Sequence, residues 1–457
     1  MPFNRFDNYP MSWRPVLPKG NAPLYRLLAQ QLEQDIASGN LLPGTKLPPQ
    51  RELADFLDIN LSTVARAFKL CMGKGLLHGE VGSGTFVAYG METNVFAPPG
   101  PATIELGSLA PETIPAQEAT ELLSQMLAEP GVGGLFQYQH YPVARHQEAG
   151  ALFLAKLGLA VPPAQVQFAG GGQNALAAIL AGLFAPGDKI GTSPLVYPGL
   201  KSAAKLLGIH LVPLRERQGE LCEEGLRYAI DNEGIRAIYV MPDLHNPTNH
   251  NMSPACRAMV ARIAQQTGLL VLEDGINSLL RTQRPAPIAA LAPGQTVYLA
   301  SLSKVLLPGL RLAYLSAPPH LAAQLQTALY NLNLAQSGLL LELASRLIFS
   351  GKADTLITTR RKRAAARNRL ADELLAGYPL LGPPTCLSRW LLLPGGCTGY
   401  EFEQRALAHG VAVYGAERFA VGKNPPPAAV RLAITAPETS AQLAGALHTL
   451  RGLLDQL

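Results

Sequence analysis

Five short apolar runs, at residues 189–191, 210–213, 237–241, 269–273 and 297–300, recur between stretches with helical spacing. A chain with this pattern has few ways to fold. A strand that is apolar throughout must be covered on both faces, and strands separated by helices pair in parallel. The alternation predicts an α/β domain with a largely parallel sheet over residues 105–330. Beyond it, residues 331–457 carry a long Ala/Leu/Arg helical pattern and short strand-like runs near 390–394 and 430–434, which reads as a smaller α+β subdomain. The chain has 457 residues, enough for two or three domains. With 48% apolar and only 16% charged residues, large cores can form and wholesale disorder is excluded.

Composition changes near residue 90. Residues 1–20 form a polar, Pro-containing extension, and residues 89–104, with Ala97-Pro-Pro-Gly-Pro101, read as a semi-rigid linker. The extension has no apolar signal-peptide core, and no run of 18 or more apolar residues occurs anywhere. Cys71, Cys222, Cys256, Cys386 and Cys397 are scattered without CxxC spacing, so neither a metal site nor a disulfide framework is indicated. These features together predict a cytoplasmic protein with free thiols and no membrane segment.

Residues 21–88 hold three helical segments and a hairpin. Leu24, Leu27, Leu28, Leu32 and Ile36 share one helical face. Pro48 and Pro49 set the entry to a second helix at Arg51. Asn60 or Ser62 caps a third, which begins Leu61-Ser62-Thr63-Val-Ala-Arg66. Two helices joined by a short turn make a helix-turn-helix, whose second helix enters the major groove. The glycines of Gly82-Ser83-Gly84 permit close backbone approach to a duplex. Over Pro23-Leu-Tyr25, Leu42-Pro-Gly44, Leu47-Pro-Pro-Gln-Arg51-Glu-Leu-Ala54, Thr63-Val64 and Gly82-Ser-Gly-Thr85, this module resembles the winged helix-turn-helix of the GntR family.

That resemblance implies DNA contacts from Arg51, Ser62, Thr63 and the 82–84 tip. Leu61 stands where the family often has arginine, so either an apolar contact to a thymine methyl replaces a guanine contact, or reading passes to neighbours such as Arg66. Residues 1–90 hold nine Lys and Arg against seven Asp and Glu, a balance of +2. Affinity should therefore depend on two modules engaging two half-sites. A degenerate module used only for dimerisation is the alternative.

In the larger part, Tyr298-Leu-Ala-Ser301-Leu-Ser303-Lys304 ends in a lysine, with Arg311 seven residues on. A lysine leaving an apolar strand can form a Schiff base with an aldehyde cofactor, while the hydroxyls and Arg311 hold its phosphate. Read singly, Lys304 is as readily an exposed surface lysine. Gly170-Gly171-Gly172-Gln173 opens a helical run after a strand-like one, and such a helix start favours a phosphate. Tyr197 suits ring stacking, or is a core or loop aromatic. Asn246, in His245-Asn-Pro-Thr248, offers an amide to a ring hydroxyl, or belongs to an Asn-Pro turn. Asp274, at a strand end, suits a pyridinium nitrogen, or caps a loop.

The order and spacing of these residues resemble fold-type I aminotransferases. Joined to the GntR-like module, they identify the chain as similar to the MocR subfamily of transcriptional regulators, over residues 21 to about 440. The resemblance implies pyridoxal 5'-phosphate as an internal aldimine on Lys304. It implies a phosphate held by Arg311, Ser301, Ser303 and the 171–173 amides, a ring stacked on Tyr197, and ring partners in Asp274 and Asn246. Arg431 would bind an effector carboxylate, although a lone strand arginine also fits a surface ion pair. A head-to-tail homodimer is implied as well.

Two departures bear on the chemistry. Ile276 stands where a ring-binding tyrosine is expected, and Asn249 replaces the glycine of Pro-Thr-Gly. Both suit a sensor of the cofactor, or of an amine or amino acid, better than an enzyme selected for turnover. An aminotransferase that retains a DNA-binding module is the alternative. The cluster Arg360-Arg-Lys-Arg363, with Arg367 and Arg369, reads as a solvated helix face. The other reading is a basic surface that steers DNA.

Overall fold

The structure is a computed structural model, described for residues 11–17, 22–37, 40–41, 44–74, 76–80, 84–88, 103–114, 116–138, 143–422 and 424–457. Contacts divide the chain into two compact units. One runs to Ala97 and includes Glu417–Pro426; the other comprises Pro98–Ala416 and Pro427–Leu457.

The first unit contains α1 (Leu24–Ala37), α2 (Gln50–Leu57), α3 (Leu61–Gly73) and an antiparallel hairpin of β1 (Leu77–Glu80) and β2 (Gly84–Val87). Leu28, Leu32 and Ile36 of α1, Leu53 of α2, and Val64 and Phe68 of α3 bury one shared core, as their helical spacing requires. Asp58 ends α2 in the left-handed conformation, and Asn60 caps α3 by accepting from Ser62 N–H at 2.9 Å. Trp13 is drawn into the same core. Its indole N–H donates to Asp35 at 2.8 Å, so part of the extension belongs to the module.

In the second unit a seven-stranded sheet runs, edge to edge, Val166–Ala169, Ala313–Ser316, Thr296–Ser301, Leu270–Asp274, Ala237–Val240, Lys189–Thr192 and His210–Pro213. All are parallel except Ala313–Ser316, which is antiparallel to both neighbours. The five apolar runs are all strands, and the central ones are fully buried. Parallel strands present their carboxyl ends on one side, where ligands of open α/β sheets bind. Ala169, Asp274 and Ser301 end their strands there.

A four-stranded antiparallel sheet, ordered Leu380–Leu381, Arg389–Leu392, Ala429–Leu432 and Tyr414–Gly415, forms a second layer. Register places Trp390 and Tyr414 on either side of Arg431. Facing residues of an antiparallel pair project from the same face.

The basic cluster on the Lys352–Leu374 helix is neither a solvated face nor a DNA surface at its main positions. Arg360 and Arg367 are each only 2% exposed. Arg360 donates to the carbonyls of Glu112 and Leu306, and Arg367 to those of Ile434 and Pro437. Glu112 pairs with Arg363 and Arg367. Arg361 donates to the carbonyls of Leu279 and Arg281. These guanidinium groups terminate buried main chain, and only Lys362, Arg363 and Arg369 of the cluster are exposed. A charge run read from sequence says nothing about the carbonyls that loops bring to it.

Candidate cofactor and DNA sites

Ser301 closes a strand that is buried throughout, and the chain then turns through Ser303 into Lys304. Lys304 Nζ donates to the Leu109 carbonyl. Burial, and then the cations Arg431, Arg311 and Arg360, push its amine down to about 8. About a tenth is therefore neutral, hence nucleophilic, at pH 7, far more than for an ordinary lysine. The sequence alternative of a free surface lysine is excluded, since Lys304 is half-buried and held.

A glycine turn lies at the start of the Gly172–Leu183 helix, which no side chain caps. Gly171 has φ +93°, and a Cβ there would lie 2.7 Å from Arg311 Nη2. Arg311, exposed and itself left-handed at φ +44°, donates to the Gly170 carbonyl at 3.2 Å. Gly172 is bordered by Ser301 and by the Ile276 side chain. The Gln173 amide N–H₂ donates to the Gly199 carbonyl at 2.9 Å, so its side chain serves the neighbouring loop.

Asp274 is buried. It accepts from Tyr239 O–H at 2.7 Å and from Ile276 N–H at 3.0 Å. Burial pushes its carboxyl up to about 6 despite both donors. Tyr197 precedes the Pro198–Leu206 helix, and burial and then the Asp274 charge push its phenol up. Asn246 Oδ1 accepts from Arg431 Nη1 at 2.6 Å, and Arg431 Nη2 donates to the Gly107 carbonyl at 2.5 Å. The guanidinium also lies 5.4 Å from the Tyr414 ring centroid. Arg431 is thus buried and firmly held, not an exposed surface pair.

Pyridoxal phosphate fits this set on physical grounds. The uncapped helix start and Arg311 suit a phosphate. The buried Ser303 Oγ has no hydrogen-bond partner, a state that an added acceptor would relieve. Asp274 is a buried acid without a cation hydrogen-bonded to it, which suits a protonated ring nitrogen. Tyr239 escaped the sequence reading. Its signal was a lone hydroxyl-bearing residue inside the buried Ala237–Val240 strand, where it requires a partner. Among the described residues no cluster of three or more His, Cys, Asp or Glu could hold a metal, and no helix is long and apolar enough to cross a membrane.

In the first unit, α3 presents Leu61, 39% exposed, and Ser62 at its start, with Thr63 half-buried beside them. Arg51 is exposed near the start of α2. Arg66 instead stacks over the Tyr25 ring at 4.2 Å, which ties its guanidinium to α1. Gly84 begins β2 at φ +130°, against the Lys46 side chain. Gly82 and Ser83 lie outside the described residues.

Residues 24–87 match the family of bacterial regulatory proteins, gntR family, and residues 103–450 match aminotransferase class I and II. The chain is 45% identical to the uncharacterized HTH-type transcriptional regulator YdeF of Bacillus subtilis (strain 168), over all of both chains. It is 26% identical to the probable rhizopine catabolism regulatory protein MocR of Rhizobium meliloti, covering 84% of this chain and 82% of that one. Among solved structures, an archaeal alanine:glyoxylate aminotransferase shares the fold, with a TM-score of 0.72 at 21% identity, over 78% of this chain and 92% of the other. A gntR-type helix-turn-helix joined to an aminotransferase class I and II domain, in one chain with such relatives, makes this protein a transcriptional regulator of the MocR subfamily.

Proposed function

We propose that this regulator carries pyridoxal 5'-phosphate on Lys304 and senses an amine or amino acid there, with a consequence for DNA occupancy. The observation that carries the reading is the Lys304 amine, lowered to about 8 on the same sheet edge as the Gly171 turn, Arg311 and Asp274.

Bound pyridoxal phosphate would supply an electrophilic carbon able to exchange one amine for another. The protein's residues divide the remaining work. Arg311, Ser301, Ser303 and the main-chain N–H groups of Gly172 and Gln173 would neutralise the phosphate, whereas the Gly171 N–H donates to the Ala169 carbonyl at 2.8 Å. Tyr197 would cover one ring face. Asp274 would keep a proton on the ring nitrogen, and Tyr239 keeps the Asp274 carboxylate aimed. Asn246 would meet the ring hydroxyl without help from residue 276, because Ile276 has no donor beyond its main chain. Arg431 would take the effector's carboxylate. Its bond to Asn246 would then link carboxylate recognition to ring recognition. Lys304 Nζ, once free, would take up a proton below about pH 8 and donate to the Leu109 carbonyl.

In the DNA-binding unit, the exposed start of α3 would enter the major groove with Leu61, Ser62 and Thr63 toward base edges and Arg51 toward phosphate. The module's weak positive balance supports a homodimer, head-to-tail, that engages two half-sites. A second reading, aminotransferase turnover, is favoured by one observation: Lys304 keeps an amine suited to proton transfer.

The test is reconstitution of the full chain with pyridoxal phosphate. A visible absorption band that is absent in Lys304→Ala, and operator binding that changes when amino acids are titrated, are expected. A band that persists in Lys304→Ala would sink the assignment. Sustained product formation with an amino donor and a keto acid would replace the sensor with the enzyme.

A further inference from the structure

A cavity of about 770 Å³ lies beside the cofactor residues but includes none of Lys304, Asp274, Arg311 or Arg431. Its volume falls within the range of small-molecule sites, roughly 300–1,000 Å³. One wall comes from the Glu216–Leu221 hairpin region and the end of the Ala237–Val240 strand. The opposite wall is the small sheet, through Leu381 and Trp390.

The charges lining this cavity have one sign. Glu216 and Glu220 both face it, and among the described residues no lysine or arginine does. Glu220 is engaged at both oxygens: one accepts from Ser253 N–H at 2.5 Å and lies 3.6 Å from His250 Nε2, and the other accepts from Ser253 Oγ at 2.8 Å, which leaves Glu216 as the carboxylate open to a ligand. No ion pair reaches Glu216 among the described residues; burial pushes its carboxyl up, against a hydrogen bond from the Ser193 side chain. His245, also in the lining, is held neutral by burial, with its imidazole pushed down to about 4. The remaining surface is largely apolar. A carboxylate in such a setting gains from a cation that brings its own apolar body, and the Trp390 indole in the lining adds apolar surface. The cofactor residues next door, with Lys304, Arg311 and Arg431, have the opposite preference.

We propose that this cavity is a second ligand site, which takes a small organic cation with an apolar body and is separate from the cofactor site. Its position also gives it a route to that site. The loop carrying Asn246 closes on itself, with Asn249 N–H donating to the His245 carbonyl at 2.6 Å and His245 N–H to the His250 carbonyl at 2.9 Å. His245, Asn249 and His250 line the cavity, while Asn246 from the same loop holds Arg431. Asn249 also donates to the Ser388 carbonyl, two residues before Trp390, at 2.8 Å. A cation seated between the hairpin and the small sheet therefore bears on the loop that positions Asn246.

The probe is benzyltrimethylammonium, whose quaternary nitrogen cannot condense with an aldehyde, so binding at a Lys304-bound cofactor by amine exchange is ruled out chemically. Calorimetric titration of the full chain should give saturable binding at one site, with benzoate not binding and benzyl alcohol much weaker. Glu216→Gln, at an exposed position, should weaken the probe about tenfold, the scale of one charge-assisted contact. Leu381→Lys, also exposed, should weaken it by adding a cation to the cavity wall. Lys304→Ala should leave the probe's affinity unchanged. No saturation, equal binding of benzyl alcohol, indifference to Glu216→Gln and Leu381→Lys, or loss of binding in Lys304→Ala would each overturn the proposal, whatever becomes of the pyridoxal phosphate reading.

Discussion

Arg431 Nη1 donates to the side-chain oxygen of Asn246 at 2.6 Å, so an arginine of the small sheet and an amide of the large sheet's edge act as one buried pair. Removing the guanidinium leaves the Asn246 oxygen and the Gly107 carbonyl without this donor. Arg431→Ala should destabilise the chain by about 3 kcal/mol in chemical denaturation, the scale for breaking a buried charged hydrogen-bond network. It should also abolish the response of operator binding to amino acids while sparing any response to amines that lack a carboxylate. An unchanged amino-acid response would remove Arg431 from effector recognition.

Asp274 offers a prediction in pH. Its carboxyl sits at about 6 in the folded chain, above the ordinary aspartate value of about 4. A raised folded pKa means that stability is present below about pH 4 and lost as pH rises through about 6. Asp274→Asn carries no charge at any pH; its one amide oxygen can still accept from Ile276 N–H, while its N–H₂ would donate to the Tyr239 hydroxyl oxygen. Without cofactor, this variant should match the parent near pH 4 and exceed it by about 3 kcal/mol near pH 8. Urea midpoints at the two pH values measure this, and a difference independent of pH would contradict it. With pyridoxal phosphate, Asp274→Asn should instead lose affinity.

Gly171 tests the phosphate turn. An alanine there would hold φ +93° with a Cβ 2.7 Å from Arg311 Nη2. Strain and the displaced guanidinium should cost about 1–2 kcal/mol of stability. Pyridoxal phosphate affinity, read by absorbance titration, should fall about tenfold, since Arg311 and the helix start must shift together. Gly172→Ala, whose Cβ would meet nothing closer than 3.4 Å, should be the milder change.

The DNA-binding unit gives a contrast between Leu61 and Arg66. Leu61 is exposed at the start of α3, whereas Arg66 is stacked on Tyr25. If Leu61 reads a thymine methyl, uracil in place of thymine at the contacted position should weaken binding of the parent by about 1 kcal/mol and leave Leu61→Ala indifferent. Arg66→Ala should alter operator affinity less than Arg51→Ala. Fluorescence anisotropy with substituted operators measures both, and a large loss in Arg66→Ala would mean that its guanidinium leaves Tyr25 to meet DNA.

Much of this arrangement was legible in the chain because it depends on local pattern. Buried strands are apolar throughout, helix starts carry their caps, and a glycine turn after a strand marks a helix opening. The antiparallel Ala313–Ser316 strand was not singled out, since sequence alone gives a buried strand no direction. Tyr239 and the Arg360–Arg367 pair were missed for another reason. Their roles depend on partners far along the chain: Asp274, 35 residues away, for Tyr239, and the carbonyls of Glu112 and Ile434 for the arginines. Residue type and spacing do not encode such meetings. The same limit applies to Arg66, whose helical position suits DNA but whose partner is Tyr25.

The Lys352–Leu374 helix joins two places that matter. Arg360 is fastened to the carbonyl of Leu306, two residues past Lys304, and Arg367 to that of Ile434, three residues past Arg431. Seven residues of α-helix separate the two arginines by about 10 Å along an axis that resists stretching. A displacement of the small sheet on one side is therefore carried as a strut carries load, not absorbed as slack, and the Lys304 turn and the Arg431 strand cannot be repositioned independently.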